Sequence, residues 1–264
     1  MRAYGAILSA RCRVLLQYRA AAVAGIITQV FFGLIIVMVM QTFYGSRPGV
    51  EHPMTLAQTI TYVWLGQAMI RLLIWHGDPE VAELVRTGGV AYELLRPLDL
   101  YNLWYSRGVA LIAAPVFVRA VPMWVLAKLF FGMGWPASPA AGLAWMAATL
   151  AAVLLAAALC TLATITLMWT VSGYGLRRLL ATAVWFLSGI VVPLPLFPDW
   201  AQKAMAVLPF RGLIDTPIQL YVGRMPPGEA LGAVAHQLAW TVACVLLGRA
   251  LLARGKRRLV VQGG

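Results

Sequence analysis

The sequence predicts an all-α membrane protein: one transmembrane domain over residues 1–264 with six transmembrane helices. Three observations carry that reading. Of 264 residues, 61% are hydrophobic and only 11% charged, whereas a soluble domain presents roughly 25% charged residues. The apolar residues arrive in runs of about 20, the length that carries a helix across a ~30 Å hydrocarbon core. The cations collect at the ends of those runs, where they mark the cytoplasmic flanks of spans. The net charge of +12 would suggest nucleic acid in a soluble protein, but cations scattered along the flanks of spans argue against it, since nucleic-acid binders gather them on one face or segment. A transmembrane barrel is excluded too, because its short strands alternate apolar and polar residues.

Residues 1–19 read as a helix lying in the membrane surface. Tyr4, Ile7, Leu8, Val14, Leu15 and Tyr18 share one face, opposed by Arg2, Ser9, Arg13 and Gln17. Arg11 breaks the pattern, and its length would let it snorkel to the headgroups. A plain positive flank to the first span fits the same residues. No cleavable signal is expected, since this stretch holds four arginines and no apolar core before a small-residue site.

Span one covers residues 21–43, followed by a Gly- and Pro-rich loop over 44–55 and span two over 56–75. The polar stretch 76–101 holds five of the nine acidic residues: Asp78, Glu80, Glu83, Glu93 and Asp99. Span three covers 108–131, interrupted by Pro115, Arg119 and Pro122, and span four covers 141–169. Span five begins near Leu179 and runs into the proline-rich 193–198; residues 199–228 are too polar to cross. Span six covers 230–252 and ends in the basic tail 254–258. Six spans place both termini on one side. That side carries the arginine clusters of 2–19, 86–107, 177–178 and 249–258, while the other has Arg47, Lys128, Lys203, Arg211 and Arg224. The positive-inside rule makes the first side cytoplasmic.

Within the polar stretch, Asp78-Pro79 is a helix start, an N-cap acid followed by proline at the first helical position. Glu80 and Glu83 suit the positive end of its dipole and Arg86 the negative end. Gly88-Gly89 is a natural stop. Val81, Leu84 and Val85 add a short apolar stripe. Such a helix is a docking surface for a soluble partner or an ordinary solvated loop helix.

The continuation, Arg86-Thr-Gly-Gly-Val-Ala-Tyr-Glu-Leu-Leu-Arg-Pro-Leu-Asp99, resembles a cytoplasmic motif of bacterial type-2 ABC exporter permeases. One branch carries Gly-x-Val, three variable residues and Leu-Leu-Arg-Pro-Leu, as Gly88 to Leu98 do here. Ser188-Gly-Ile-Val-Val-Pro193, Phe197-Pro198-Asp-Trp200 and Leu208-Pro209 resemble the same family's fifth span, which ends in prolines before a short amphipathic helix. The resemblance implies the type-2 exporter fold, with residues 1–19 as an interfacial elbow helix, 76–101 as a cytoplasmic coupling segment, and 193–228 as extracytoplasmic re-entrant helices. It further implies a half-transporter in a bacterial cytoplasmic (inner) membrane, paired with a second permease, identical or paralogous, and docked on an ABC ATPase subunit. ATPase coupling would fall to Asp78, Glu80, Glu83, Arg86, Gly88, Gly89, Arg96 and Pro97. Spans two and five would line the pathway, placing Gln67 and Ser188 near it. The expected cargo is a drug-like, lipid or other amphipathic substrate.

No Gly-x-x-x-x-Gly-Lys-Ser/Thr loop occurs in the chain, so this common phosphate cradle is missing. The chain is expected to be no enzyme and to hold no cofactor, with ATP and Mg on the partner ATPase. Gln29, Gln67 and Arg119 sit at membrane depth and Arg71 near the inner end of span two. A mid-membrane arginine costs roughly 2.5–3.5 kcal/mol, so Arg119 should face protein, water or a lipid headgroup. It reads either as a pathway cation or as a packing cation on carbonyls freed by Pro115 and Pro122. Ala144, Ala148, Ala152, Ala156, Cys160 and Thr164 form a small-residue stripe that lets another helix approach closely. Cys12, Cys160 and Cys244 have no metal-ligand spacing. Ser188 and His236 invite comparison with an intramembrane serine protease, but Phe186 stands where that motif needs its first glycine. The dispersed acids argue against phosphatidyl transfer. A channel or secondary transporter is the alternative, disfavoured by the coupling segment and the lack of duplicated halves.

Overall fold

A computed structural model describes residues 2–17, 19–46, 51–73, 77–169 and 174–256. Tyr18, Arg47, the expected inner end of span two with His76, and the tail from Arg257 lie outside the described residues. Among those described, every regular element is helical: α1 (Arg2–Leu16), α2 (Arg19–Gly45), α3 (Leu56–Met69), α4 (Pro79–Thr87), α5 (Val90–Leu94), α6 (Leu100–Phe130), α7 (Pro139–Ile165), α8 (Tyr174–Leu187), α9 (Asp199–Val207), α10 (Asp215–Tyr221) and α11 (Ala230–Lys256). The chain is a helical membrane protein. Four of its helical stretches, Ala22–Gly45, Leu100–Phe130, Pro139–Met168 and Pro227–Lys256, are long and apolar enough to cross a membrane.

The expected spans two and five are shorter. α3 continues as a tight 3-10 turn over Ile70–Leu72, and α8 ends at Leu187, well before the prolines expected to close it. The stop has a local cause. Gly189 adopts φ +89°, a left-handed conformation that continues no helix, and a side chain there would meet the Tyr62 hydroxyl at 2.3 Å. Span three is longer than expected. α6 begins at Leu100, capped by Asp99, whose carboxylate accepts from the Asn102 amide at 2.9 Å. It then runs through Pro115 and Pro122 unbroken.

α7 is the central post. Its most apolar stretch is 67% buried, against 22% in α2 and 17% in α11. Its small stripe, Ala144 through Thr164, is buried throughout, and α6, α10 and α11 pack around it. Close approach over small side chains is what holds helices together where lipid offers no hydrophobic drive. α2 and α3 pack on the flank of α6. At one end, here the basal end, α1, α4 and α5 gather around the start of α6 and the close of α7. At the opposite, distal end lies the folded segment 193–229. It is built on α10, whose seven residues are all buried.

α1 packs along α6. Its covered stripe is Tyr4, Ile7, Leu8, Arg11, Cys12 and Leu15, while Val14 is exposed. The expected face is therefore rotated. Arg11 does not snorkel away; it belongs to the inner stripe and pairs with Glu80.

Candidate functional site

The basal end is organised by one cation. Arg107, 9% exposed, donates from Nε to Asp78 Oδ2 at 3.3 Å, and from its two terminal nitrogens to Glu93 Oε1 and Glu80 Oε2, each at 3.0 Å. The second Glu93 oxygen accepts from Trp104 Nε1 at 2.7 Å. Asp78 caps α4, accepting from the Glu80 and Val81 amides, while its own amide donates to Thr164 Oγ1 at 3.0 Å on α7. Arg11 adds a two-pronged pair to Glu80, and its hydrogen bond holds that carboxyl below the ordinary carboxylate range. The planar fork of a guanidinium is what permits one side chain to serve three carboxylates. α1, α4, α5, α6 and α7 are thereby fixed together.

The residues expected to couple divide into two sets. Asp78 and Glu80 turn inward to Arg107. Glu83, Arg86, Arg96 and Pro97 remain exposed, with Glu83 and Arg86 paired along α4 at 2.7 Å. Gly88 ends α4 in the left-handed region at φ +74°, which leads the chain into α5 through Gly89. Beside this edge stand two bulky residues, Tyr92 (77% exposed) and Leu95 (82%). Sequence reasoning noted Arg107 only as a flank cation and gave Glu93 no role. The available signal was the concentration of five acids in one stretch, which needs a buried cation to hold any of them inside.

Among the residues at membrane depth, the structure brings Gln67 and Arg119 together with Gln29 and Arg71. They line one cavity of about 460 Å3 between α2, α3, α6 and the turn after α8, with Gly25, Thr28, Trp185 and Ile190 among the other walls. None of its lining residues is acidic. Gln29 and Gln67 are buried, and among the described residues their Oε1 atoms, like the Nε of Arg71, have no hydrogen-bond partner. Ser188 is not in the lining. Its hydroxyl is fully buried and bends back to the Trp185 carbonyl at 3.4 Å. A larger cavity of about 610 Å3 lies along α3, α6 and α7; its walls carry no charged residue. His236 bonds the Val207 carbonyl at 3.4 Å, so Ser188 and His236 each have local partners and form no dyad.

A comparison with curated proteins finds no match. A family model described as ABC-2 family transporter protein matches residues 54–263, from the start of α3 through α11. That span takes in both the basal network's acids and the polar cavity's arginines, and the chain belongs to the ABC-2 transporter family.

Proposed function

We propose that the chain is the membrane permease subunit of an ATP-driven exporter, forming half of the pathway for a drug-like, lipid or other amphipathic substrate. In this reading it has six spans, with α3 and α8 as spans two and five, and sits in a bacterial inner membrane with both termini in the cytoplasm. The basal end is then cytoplasmic, and α4–α5 is the coupling segment that meets a separate ABC ATPase. ATP and Mg belong to that partner, and this chain performs no catalysis. A second permease, identical or paralogous, completes the pathway. The exposed apolar faces of α2 and α8, including Met38, Phe31, Leu179 and Phe186, suit lipid or that second permease.

The observation that carries the reading is the build of α4–α5: one edge clamped to two long helices, to α6 through Arg107 and to α7 through Thr164, the other left open. A clamped segment can pass a push from a docked subunit to α6 and α7 without absorbing it. Exposed charge pairs contribute only ~0.2–1 kcal/mol, whereas interface energy concentrates in bulky anchors near the centre of contact. Leu95→Glu should therefore cost about tenfold or more in ATPase binding, and Glu83→Ala with Arg86→Ala only a few-fold. Co-purification and substrate-stimulated hydrolysis with the partner ATPase would measure both. Full stoichiometry and stimulation in a folded Leu95→Glu particle would overturn the placement.

Topology has its own expected result, motivated by the charge asymmetry between the two sides. In a chain cleared of its native cysteines, Ser46→Cys should label from outside intact cells, and Lys256→Cys only after permeabilisation. External labelling at position 256 would remove the six-span arrangement.

A further inference from the structure

The polar cavity contains more binding capacity than the protein itself uses. Arg71 and Arg119 bring two guanidiniums to one space at membrane depth, and none of the lining residues is acidic. Arg119 lies about 17 Å from the C-terminal end of α6, counting 1.5 Å per residue, so this is not a headgroup-level flank. Among the described residues, the Nε–H of Arg71 is buried without an acceptor, and the amide oxygens of Gln29 and Gln67, residues 5% and 3% exposed, are buried without donors. Buried polar groups are almost always satisfied, and two like charges in a low-dielectric space repel unless an anion lies between them. The unmet needs are thus mixed: a negative oxygen for the Arg71 Nε–H, and hydroxyl-type donors for the two amide oxygens. At the rim, Phe32 is 53% exposed, and Ile35 and Val39 continue the apolar surface of α2 beyond it.

We infer that this cavity binds the anionic headgroup of an amphiphile, a phosphate or carboxylate carrying neighbouring hydroxyls, with its tail along α2. Arg71 and Arg119 grip the anion, Gln29 and Gln67 accept from its hydroxyls, and the apolar face of α2 takes the chain. Gly25 keeps the space for the grip, since a side-chain carbon there would stand 2.5 Å from an Arg119 terminal nitrogen. The site depends on the packing of α2, α3 and α6 and stands independently of any coupling to an ATPase.

The test is native mass spectrometry of the purified particle titrated with dioleoyl phosphatidylglycerol, dioleoyl phosphatidylcholine, or glycerophosphate alone. Phosphatidylglycerol should bind about tenfold or more tightly than phosphatidylcholine, the scale expected for charge-assisted bonds to a guanidinium. Arg71→Gln with Arg119→Gln should remove that preference. Gly25→Ala, which deletes no charge, should weaken phosphatidylglycerol by displacing Arg119, and Arg119→Lys should retain part of the preference. These milder variants keep the test open if the double variant misfolds. Equal binding of the two lipids, or undiminished preference in the folded double variant, would overturn the site. Glycerophosphate binding as tight as phosphatidylglycerol would overturn the amphiphile. None of these outcomes bears on ATPase docking at α4–α5, which the Leu95 variant tests separately.

Discussion

Replacing Arg107 with alanine should destabilise the protein by about 3–5 kcal/mol, the usual cost of removing one partner from a buried charge cluster. The side chain satisfies Asp78, Glu80 and Glu93 at once. Glu80 is 59% exposed and keeps Arg11, so its loss is small. Asp78 and Glu93 have side chains only 10% and 8% exposed, and they would be left as carboxylates with no directly bonded cation. α5 should come away from α6 first, since Trp104 to Glu93 is then its one remaining polar tie in this network. Arg107→Lys should recover only part of the loss, because an ammonium is a point charge without the fork that reaches three carboxylates. Arg107→Met combined with Glu93→Gln should be milder than Arg107→Ala alone, since replacing both partners leaves less charge stranded. Thermal unfolding in detergent, with limited proteolysis across 88–98, reads all three. An Arg107→Ala protein that melts like wild type with the same cleavage pattern would show that the network holds nothing together. A well-folded Arg107→Ala particle should also uncouple hydrolysis from substrate, because the lever is no longer fixed to α6.

The long apolar helices and their caps were legible because they are local. Asp78-Pro79 starts α4 and Gly88 ends it for reasons contained within a few residues. What was not legible depends on partners far along the chain. Arg11 broke the amphipathic pattern only while a cation was counted as outward-facing; its partner, Glu80, is 69 residues away. Span three reads as 108–131 with Arg107 as a flank cation, yet three carboxylates make position 107 favourable inside the packed helix. Span five was carried to the prolines, although Gly189 had already turned the chain. In the cavity, Gln29, Gln67, Arg71 and Arg119 each stood out as polar at membrane depth. Their meeting follows only from how α2 and α3 lie on α6. Ser188 shows the converse: a polar residue on the expected span whose direction was set by a helix end that periodicity did not reveal.

Asp215 is the second position where a single change should have a large effect, and Asp215→Ala should cost about 3–5 kcal/mol. Its side chain is fully buried. Oδ1 accepts from the Tyr62 hydroxyl at 2.9 Å and from Gln219 Nε2 at 3.0 Å, and Oδ2 accepts from Arg211 Nε at 3.0 Å. One carboxyl thus ties α3 to α10 and to the turn before it, while Gly189 leaves room for the Tyr62 hydroxyl. Alanine would strand a buried hydroxyl, a buried amide and a half-covered cation together. The signal was in the sequence, since Arg211, Asp215 and Gln219 recur at helical i, i+4 spacing, but nothing local announced that Asp215 would be interior. Burial pushes the Asp215 carboxyl up from its ordinary range, with Arg211, Gln219 and Tyr62 pulling it back only in part. The folded chain then holds this proton more tightly than the unfolded chain. By linkage, this group's contribution to stability is fully present below the unfolded value, about pH 4, and declines as pH rises toward the folded value. Asp215→Asn cannot titrate, so the stability of wild type relative to Asp215→Asn should fall as pH is raised above about 4. Paired melting curves across that range isolate the contribution of this carboxyl, because every other titrating group is shared by the two proteins. A difference that stays flat with pH would mean the carboxyl is not shifted upward. An Asp215→Ala protein with an unchanged melting point would mean that the distal segment is held by packing alone.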